Sequence, residues 1–262
     1  MISPIMLRAI KKRRLSTIIY SAGLFSFAMM FAALFQDFAK DIDQLVATIP
    51  SGFEAFIGNM AAASTPPGWL AVELYGLFVP MILTIIGTGF GASAIGEEED
   101  SGTLELLLAS PISRSKILSG KVFAIMAQLG IVAGAVWSGI ALGSLLFEFD
   151  ISLNNVFQAS LSGWLLGMSF GMATLAIQSI TKSRSKALGI GSGIVATTYI
   201  ANVVSKLVDY LGFIKYFSPF YYFDESYILH NGMRSLSIIL VILPVILFLI
   251  AYSSFRNRDT GV

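Results

Sequence analysis

Of the 262 residues, 55% are apolar and only 13% charged, with 24 Gly, 20 Phe and no Cys. So little polar surface excludes a pair of ordinary soluble domains, and the missing cysteines exclude a disulfide framework or a thiolate metal site. A formal charge of +1 supplies no global basic field for nucleic acid, and the composition is that of an all-α membrane protein.

The chain opens on a basic segment. Ser3 is placed to cap and Pro4 to start a helix over residues 2–13, in which Ile2, Ile5, Met6, Ala9 and Ile10 recur at helical spacing while Arg8, Lys11 and Lys12 fall elsewhere. That pattern predicts a short helix along the inner membrane surface; a structureless topogenic signal is the alternative. No cleaved leader is expected, because the first 14 residues are strongly charged and the apolar run behind them is long enough to stay as a span.

Six stretches free of Asp, Glu, Lys, Arg and His approach or exceed the roughly 20 residues that cross hydrocarbon as a helix. They place spans at about 15–35, 74–95, 122–147, 153–180, 187–205 and 235–255 within one transmembrane domain, 1–262. Pro80 and Pro244 are expected to kink spans two and six. With the N-terminus inside, 13 of the 17 Lys and Arg fall on the inner side, so both termini are predicted to be cytoplasmic. Lys40, Lys206, Lys215 and Arg234 are left outside.

The outer segment between spans one and two, 36–73, mixes Asp37, Asp41 and Asp43 with Ile42, Leu45, Val46, Phe53, Phe56 and Ile57, and Pro50 to Gly52 should break it. It reads as a cap over the outer mouth or as a loose surface loop.

The inner segment between spans two and three carries the strongest pattern. Four acids, Glu97 to Asp100, stand at the end of span two, where the helix dipole disfavours negative charge and a basic partner would relieve it. Leu104, Leu107 and Leu108 then form an apolar stripe that needs a surface, and Pro111 ends the short helix. A solvated acidic turn before an interfacial helix is the plain alternative.

Glu98, Gly102, Thr103, Glu105, Leu107, Leu108, Pro111, Arg114, Gly120 and Lys121 stand here in an order and spacing that resembles the cytoplasmic signature of the type-2 ABC transporter permeases. Six spans and a basic helix ahead of the first extend the resemblance over essentially the whole chain. It implies a multi-pass permease subunit of an exporter in a prokaryotic cytoplasmic membrane. It further implies a coupling helix at about 97–110, carrying Glu97, Glu98, Asp100, Gly102, Thr103, Leu104, Glu105, Leu107, Leu108 and Pro111, that seats in a cleft of a separate ATPase subunit. Arg114 and Lys121 would lead into span three.

ATP and Mg²⁺ would then belong to the partner ATPase, with no cofactor on this chain, and two permease copies or paralogues would complete the pathway for a drug, peptide or lipid-like substrate. The residues agree that ATP is not handled here: Leu118-Ser-Gly-Lys121 lacks the earlier Gly and the following Ser or Thr of a phosphate loop.

Small residues recur every four positions at Gly87/Gly91, Gly130/Gly134, Gly139/Gly143, Gly163/Gly167/Gly171 and Gly189/Gly193, which predicts close helix packing. Gln128, Gln178 and Asn202 are expected to make packing hydrogen bonds. Between Phe213 and Tyr227 eight of 15 residues are aromatic. Phe217, Pro219, Phe220, Tyr221 and Tyr222 resemble the family's short re-entrant helices between spans five and six, and read either as an external gate or as an ordinary aromatic belt.

Two other classes fit less well. An ion-coupled transporter would carry ionisable groups at mid-membrane, and the charge-free spans offer none. An intramembrane protease would need a His beside a Ser within the membrane, and the single His, His230, lies in an external turn.

Overall fold

The computed structural model describes residues 4–48, 63–109 and 111–256, with the side chains of Lys40 to Thr48 and Asp209 left aside. The expected cap at Ser3, the break at Pro50 to Gly52 and the apolar residues Phe53, Phe56 and Ile57 lie outside the described residues. Among the described residues there is no strand, and six helices are long and apolar enough to cross a membrane.

A short helix α1 (Pro4–Lys12) turns through Arg13 into α2 (Arg14–Thr48). At 1.5 Å per residue α2 is about 52 Å long, well beyond the roughly 30 Å of hydrocarbon. The expected first span therefore continues without interruption into what the sequence reads as an outer loop. The second span differs likewise. Helix α3 (Pro66–Asp100) starts eight residues before the expected 74, because Thr65 caps it by accepting from the Gly68 N–H at 3.3 Å and Pro66 and Pro67 fill its first turn. Exposed Glu73 thus falls inside the helix, near its outer end, so the second span is not charge-free.

Ahead of Pro80 the stretch Leu70–Phe78 is wound as a π-helix before regular winding resumes at Val79. A proline has no N–H for the carbonyl four residues back, and a wider turn is one way the chain absorbs that loss.

After α4 (Leu104–Leu108) come α5 (Arg114–Leu146), α6 (Leu153–Thr181) and α7 (Arg184–Leu207). The third span begins eight residues earlier than expected and the fifth three residues earlier. Charge-free windows stop at the first Lys or Arg, whereas helices stop at caps: Ser183 accepts from the Lys186 N–H at 3.3 Å, and the charged first turns stay in the helix. Lys182 adopts the left-handed conformation and closes a tight link between α6 and α7. A 3-10 segment (Asp209–Phe217), α8 (Pro219–Phe223), α9 (Glu225–Asn231) and a 3-10 turn (Ser235–Ile238) lead into α10 (Ile239–Arg256), with Pro244 inside it.

Helix α6 is the centre of the bundle: 78% of its membrane-length stretch is buried, against 17% of α7 and 22% of α10. Its tightest seam is with α3. A Cβ added to Gly87 would lie 2.1 Å from the Gly167 carbonyl oxygen, and one added to Gly91 would lie 2.1 Å from that of Gly171, so the backbones touch. Gly139 and Gly143 do the same for α5 against Phe25 and Ala32 of α2. The spacing holds less well elsewhere, since Gly134, Gly189 and Gly193 face open space.

Aromatic rings join α2 to the outer end of α3. Trp69 donates to the Phe31 carbonyl at 2.9 Å and packs against the rings of Phe31 and Phe38. Gln128 makes the packing bond expected of it, donating to Thr17 at 3.0 Å. The side-chain amide oxygen of Asn202, Oδ1, is buried without a partner among the described residues.

Candidate functional site

At the end of the bundle where α1 lies, the last turn of α3 brings four acids together, and each meets a polar or basic group from a different part of the chain. Glu97 pairs with Lys12 at 2.6 Å and with Arg13 at 3.1 Å. Glu98 pairs with Lys121 of α5, Glu99 accepts from Gln178 of α6, and Asp100 lies 3.9 Å from Arg184 of α7. The unfavourable charge at the C-terminus of α3 is thus offset from within the molecule, by four helices or their ends.

Arg13 and Lys121 are the most enclosed cations here, and Arg13 is held by more than its acid. It also lies 4.8 Å above the Phe90 ring and donates to the Phe90 carbonyl at 3.4 Å. Burial holds its guanidinium below its ordinary pKa, with Glu97 opposing that effect.

The turn that follows explains why Gly and Thr stand side by side. Gly102 has φ of 66° and donates to the Glu99 carbonyl at 3.0 Å, while Thr103 donates to that of Glu98 at 2.8 Å. This is a Schellman ending: the helix closes on a left-handed residue, which glycine adopts without a Cβ clash, and its last carbonyls are satisfied. Ser101 adds a bond from its hydroxyl to the Glu97 carbonyl at 2.8 Å.

The turn hands the chain to α4, which is shorter than the expected helix over 97–110. Glu97 to Asp100 belong to α3, and only Leu104 to Leu108 form the separate element. Its faces are also differently used. Leu104 and Leu108 pack against this protein's own core, and Leu107 is half-buried. The outward face consists of Glu105, Leu106, Ala109, Pro111 and Ile112, with Leu106 75% exposed. Sequence spacing grouped Leu104, Leu107 and Leu108 as one stripe, expected to seat in a partner; here Leu104 and Leu108 rest on this protein's own core, and Leu106 and Ile112, which the stripe left out, are the exposed apolar residues.

Beyond Pro111, Arg114 donates to the Arg256 carbonyl at 3.2 Å and Ser115 meets the Tyr252 hydroxyl at 2.8 Å. These bonds bring the end of α10 to the same end of the bundle as α1.

A second feature lies between α3 and α7. An apolar groove of about 300 Å³ opens sideways, lined by Met81, Thr84 and Thr88 on one wall and by Ser192, Val195 and Tyr199 on the other. Thr88 is 3% exposed and its hydroxyl has no partner among the described residues. Phe220 also lines it, held by the rings of Phe170 and Tyr199.

Of the five residues expected as a gate, Phe220 alone lines this groove. Phe217 is 79% exposed, Pro219 begins α8, and the rings of Tyr221 and Tyr222 meet edge to face, with Lys215 over the Tyr221 ring. His230 is the penultimate residue of α9, its ring bonded to the Ser226 carbonyl oxygen at 2.8 Å.

The family described as ABC-2 family transporter protein matches residues 5–260. The chain belongs to this family. Comparison with curated proteins finds no match. As an ABC-2 family permease, the molecule is a multi-pass membrane transport subunit rather than a catalytic one, and the family works in general with an ABC ATPase. The acids and α4 of this permease lie within the matched region, as do the groove and the short helices before α10.

Proposed function

We propose that this permease is the membrane half of an ATP-driven exporter of a prokaryotic cytoplasmic membrane, with the α1 end cytoplasmic and a separate ATPase docked on the outward face of α4. The observation that carries this reading is the way α4 is mounted. Its inner face rests on the core, and the turn before it is anchored through Glu97 to Asp100 onto α1, α5, α6 and α7. A push on Leu106 and its neighbours would therefore be passed to most of the bundle rather than absorbed by a loose loop. ATP and Mg²⁺ are assigned to the partner.

The groove between α3 and α7 supplies half of a pathway. Its lining holds no Asp, Glu, Lys, Arg or His, which suits an uncharged or lipid-like part of a drug, peptide or lipid substrate and disfavours ion coupling. Helix α7, with little of its surface buried, is where a second copy would close the other half.

The test is reconstitution with the cognate ATPase. Leu106→Asp is expected to abolish its recovery on purification and with it transport. Full recovery and full transport in that variant would exclude α4 as the docking element.

A further inference from the structure

A second groove, of about 460 Å³, runs down the outside of the bundle between α2 and α5, away from the acids, α4 and the groove between α3 and α7. Its walls are Ile18 and Phe25 of α2 and Ile131 and Ala135 of α5, and it starts at Arg14. From Arg14 to Phe25 is 11 residues, or about 16 Å along the helix axis, close to the depth of one leaflet's hydrocarbon.

Arg14 differs from the cations beside it. Lys12 and Arg13 are both engaged by Glu97, whereas Arg14 is exposed and makes no ion pair among the described residues. Two turns further along, on the same face, Ser21 lines the groove with a buried hydroxyl that has no partner among the described residues. A serine inside a helix ordinarily returns its hydroxyl to a carbonyl of the preceding turn. The groove thus presents a fixed positive charge and then an apolar trough, in the order in which a phospholipid presents phosphate and acyl chain, with the unsatisfied Ser21 hydroxyl buried in its wall.

We propose that this groove binds one glycerophospholipid of the leaflet at the α1 end, with its anionic phosphate on Arg14 and one acyl chain along Ile18, Phe25, Ile131 and Ala135. The charge complementarity of an unpaired guanidinium above an apolar trough selects a lipid over a second protein helix, which would leave Arg14 at a dry contact. The bound lipid would fill the angle between α1, α2 and α5 and hold α1 against the membrane surface.

Native mass spectrometry of the full-length protein, released from mixed micelles of phosphatidylglycerol and phosphatidylcholine, tests this. One phosphatidylglycerol retained per chain is expected, weakened about five- to tenfold by Arg14→Gln. Lys116→Gln, which removes an exposed cation that does not line the groove, should leave retention unchanged. Ala135→Phe, which fills the trough with Arg14 intact, should lower it as Arg14→Gln does; if Arg14→Gln fails to insert, Ala135→Phe alone decides.

Equal loss in Lys116→Gln, no preference for phosphatidylglycerol, or full retention in Ala135→Phe would each overturn the proposal. So would displacement by millimolar glycerol 3-phosphate, which would mark a site for free phosphate, or a lipid-free dimer that dissociates in Ala135→Phe, which would mark a contact between two copies.

Discussion

Arg13 and Glu97 are 84 residues apart and meet at 3.1 Å, joining the start of α2 to the end of α3, with the Arg13 guanidinium over the Phe90 ring. Both side chains are largely enclosed, so removing one leaves the other with an uncompensated charge. Arg13→Gln is expected to cost about 1–3 kcal/mol and to lower Tm in detergent. Glu97→Gln, which retains a hydrogen-bonding side chain, should cost less. Equal Tm values for wild type and Arg13→Gln would mean that the pair is ornamental.

Leu106 and Leu108 separate docking from folding. Leu106 is 75% exposed and Leu108 rests on the core. Leu106→Asp should therefore leave stability within about 0.5 kcal/mol of wild type, with Tm little changed, while reducing recovery of the ATPase. Leu108→Asp should lower both. The reverse pattern, with Leu106→Asp unstable and Leu108→Asp unaffected, would place the wrong face outward.

Gly87 has no room for a methyl group, because its Cβ would lie 2.1 Å from a carbonyl oxygen of α6, whereas Gly134 faces open space. Gly87→Ala is expected to destabilise by about 1–3 kcal/mol through forced separation of α3 and α6. Gly134→Ala should be neutral or slightly stabilising. Thermal unfolding of the two variants side by side decides.

Gly102 carries a related prediction of different origin. Space around it is open, but its φ of 66° is costly for any residue with a Cβ. Gly102→Ala is expected to cost about 1 kcal/mol and to misdirect α4, so transport should fall more than Tm does. Gly102→Asn, which tolerates the left-handed region better, should recover part of the loss.

Glu225 predicts a pH dependence. Burial raises its pKa above the ordinary carboxylate value, with Lys206 at 4.0 Å opposing the shift only in part. An acid raised on folding contributes stability that is complete below its unfolded pKa, about 4.3, and is lost as pH rises through the folded value. Wild-type Tm should fall with rising pH above about 4.3 relative to Glu225→Gln, in which this dependence is absent. Parallel Tm curves for the two proteins would show that Glu225 is not the group responsible.

Much of this molecule was written in the chain order of its residues. Runs free of charge gave six spans, since in hydrocarbon a backbone must satisfy itself locally, and length and composition then suffice. The acids and the Leu stripe were legible because each is a local signal, a charge at a dipole and an apolar face, whereas the Gly-Thr pair entered only through the family signature and its role as a helix ending came from the structure. Helix ends were displaced by up to eight residues at Pro66 and Arg114, where capping and solvated first turns mattered more than the nearest charge.

The partners were not legible. The acids Glu97 to Asp100 called for basic groups, and nothing local indicates that these come from Lys12, Arg13, Lys121 and Arg184, which in three of the four cases stand 84 or 85 positions from the acid they meet. The orientation of α4 was equally hidden, because a five-residue helix has apolar residues on both sides, and only the turn at Gly102 decides that Leu104 and Leu108 face the core while Leu106 faces out. Periodicity along one helix fixes which residues share a face; which face meets which neighbour depends on long-range packing, and that was decided by the backbone contact of Gly87 and Gly91 with Gly167 and Gly171 around α6.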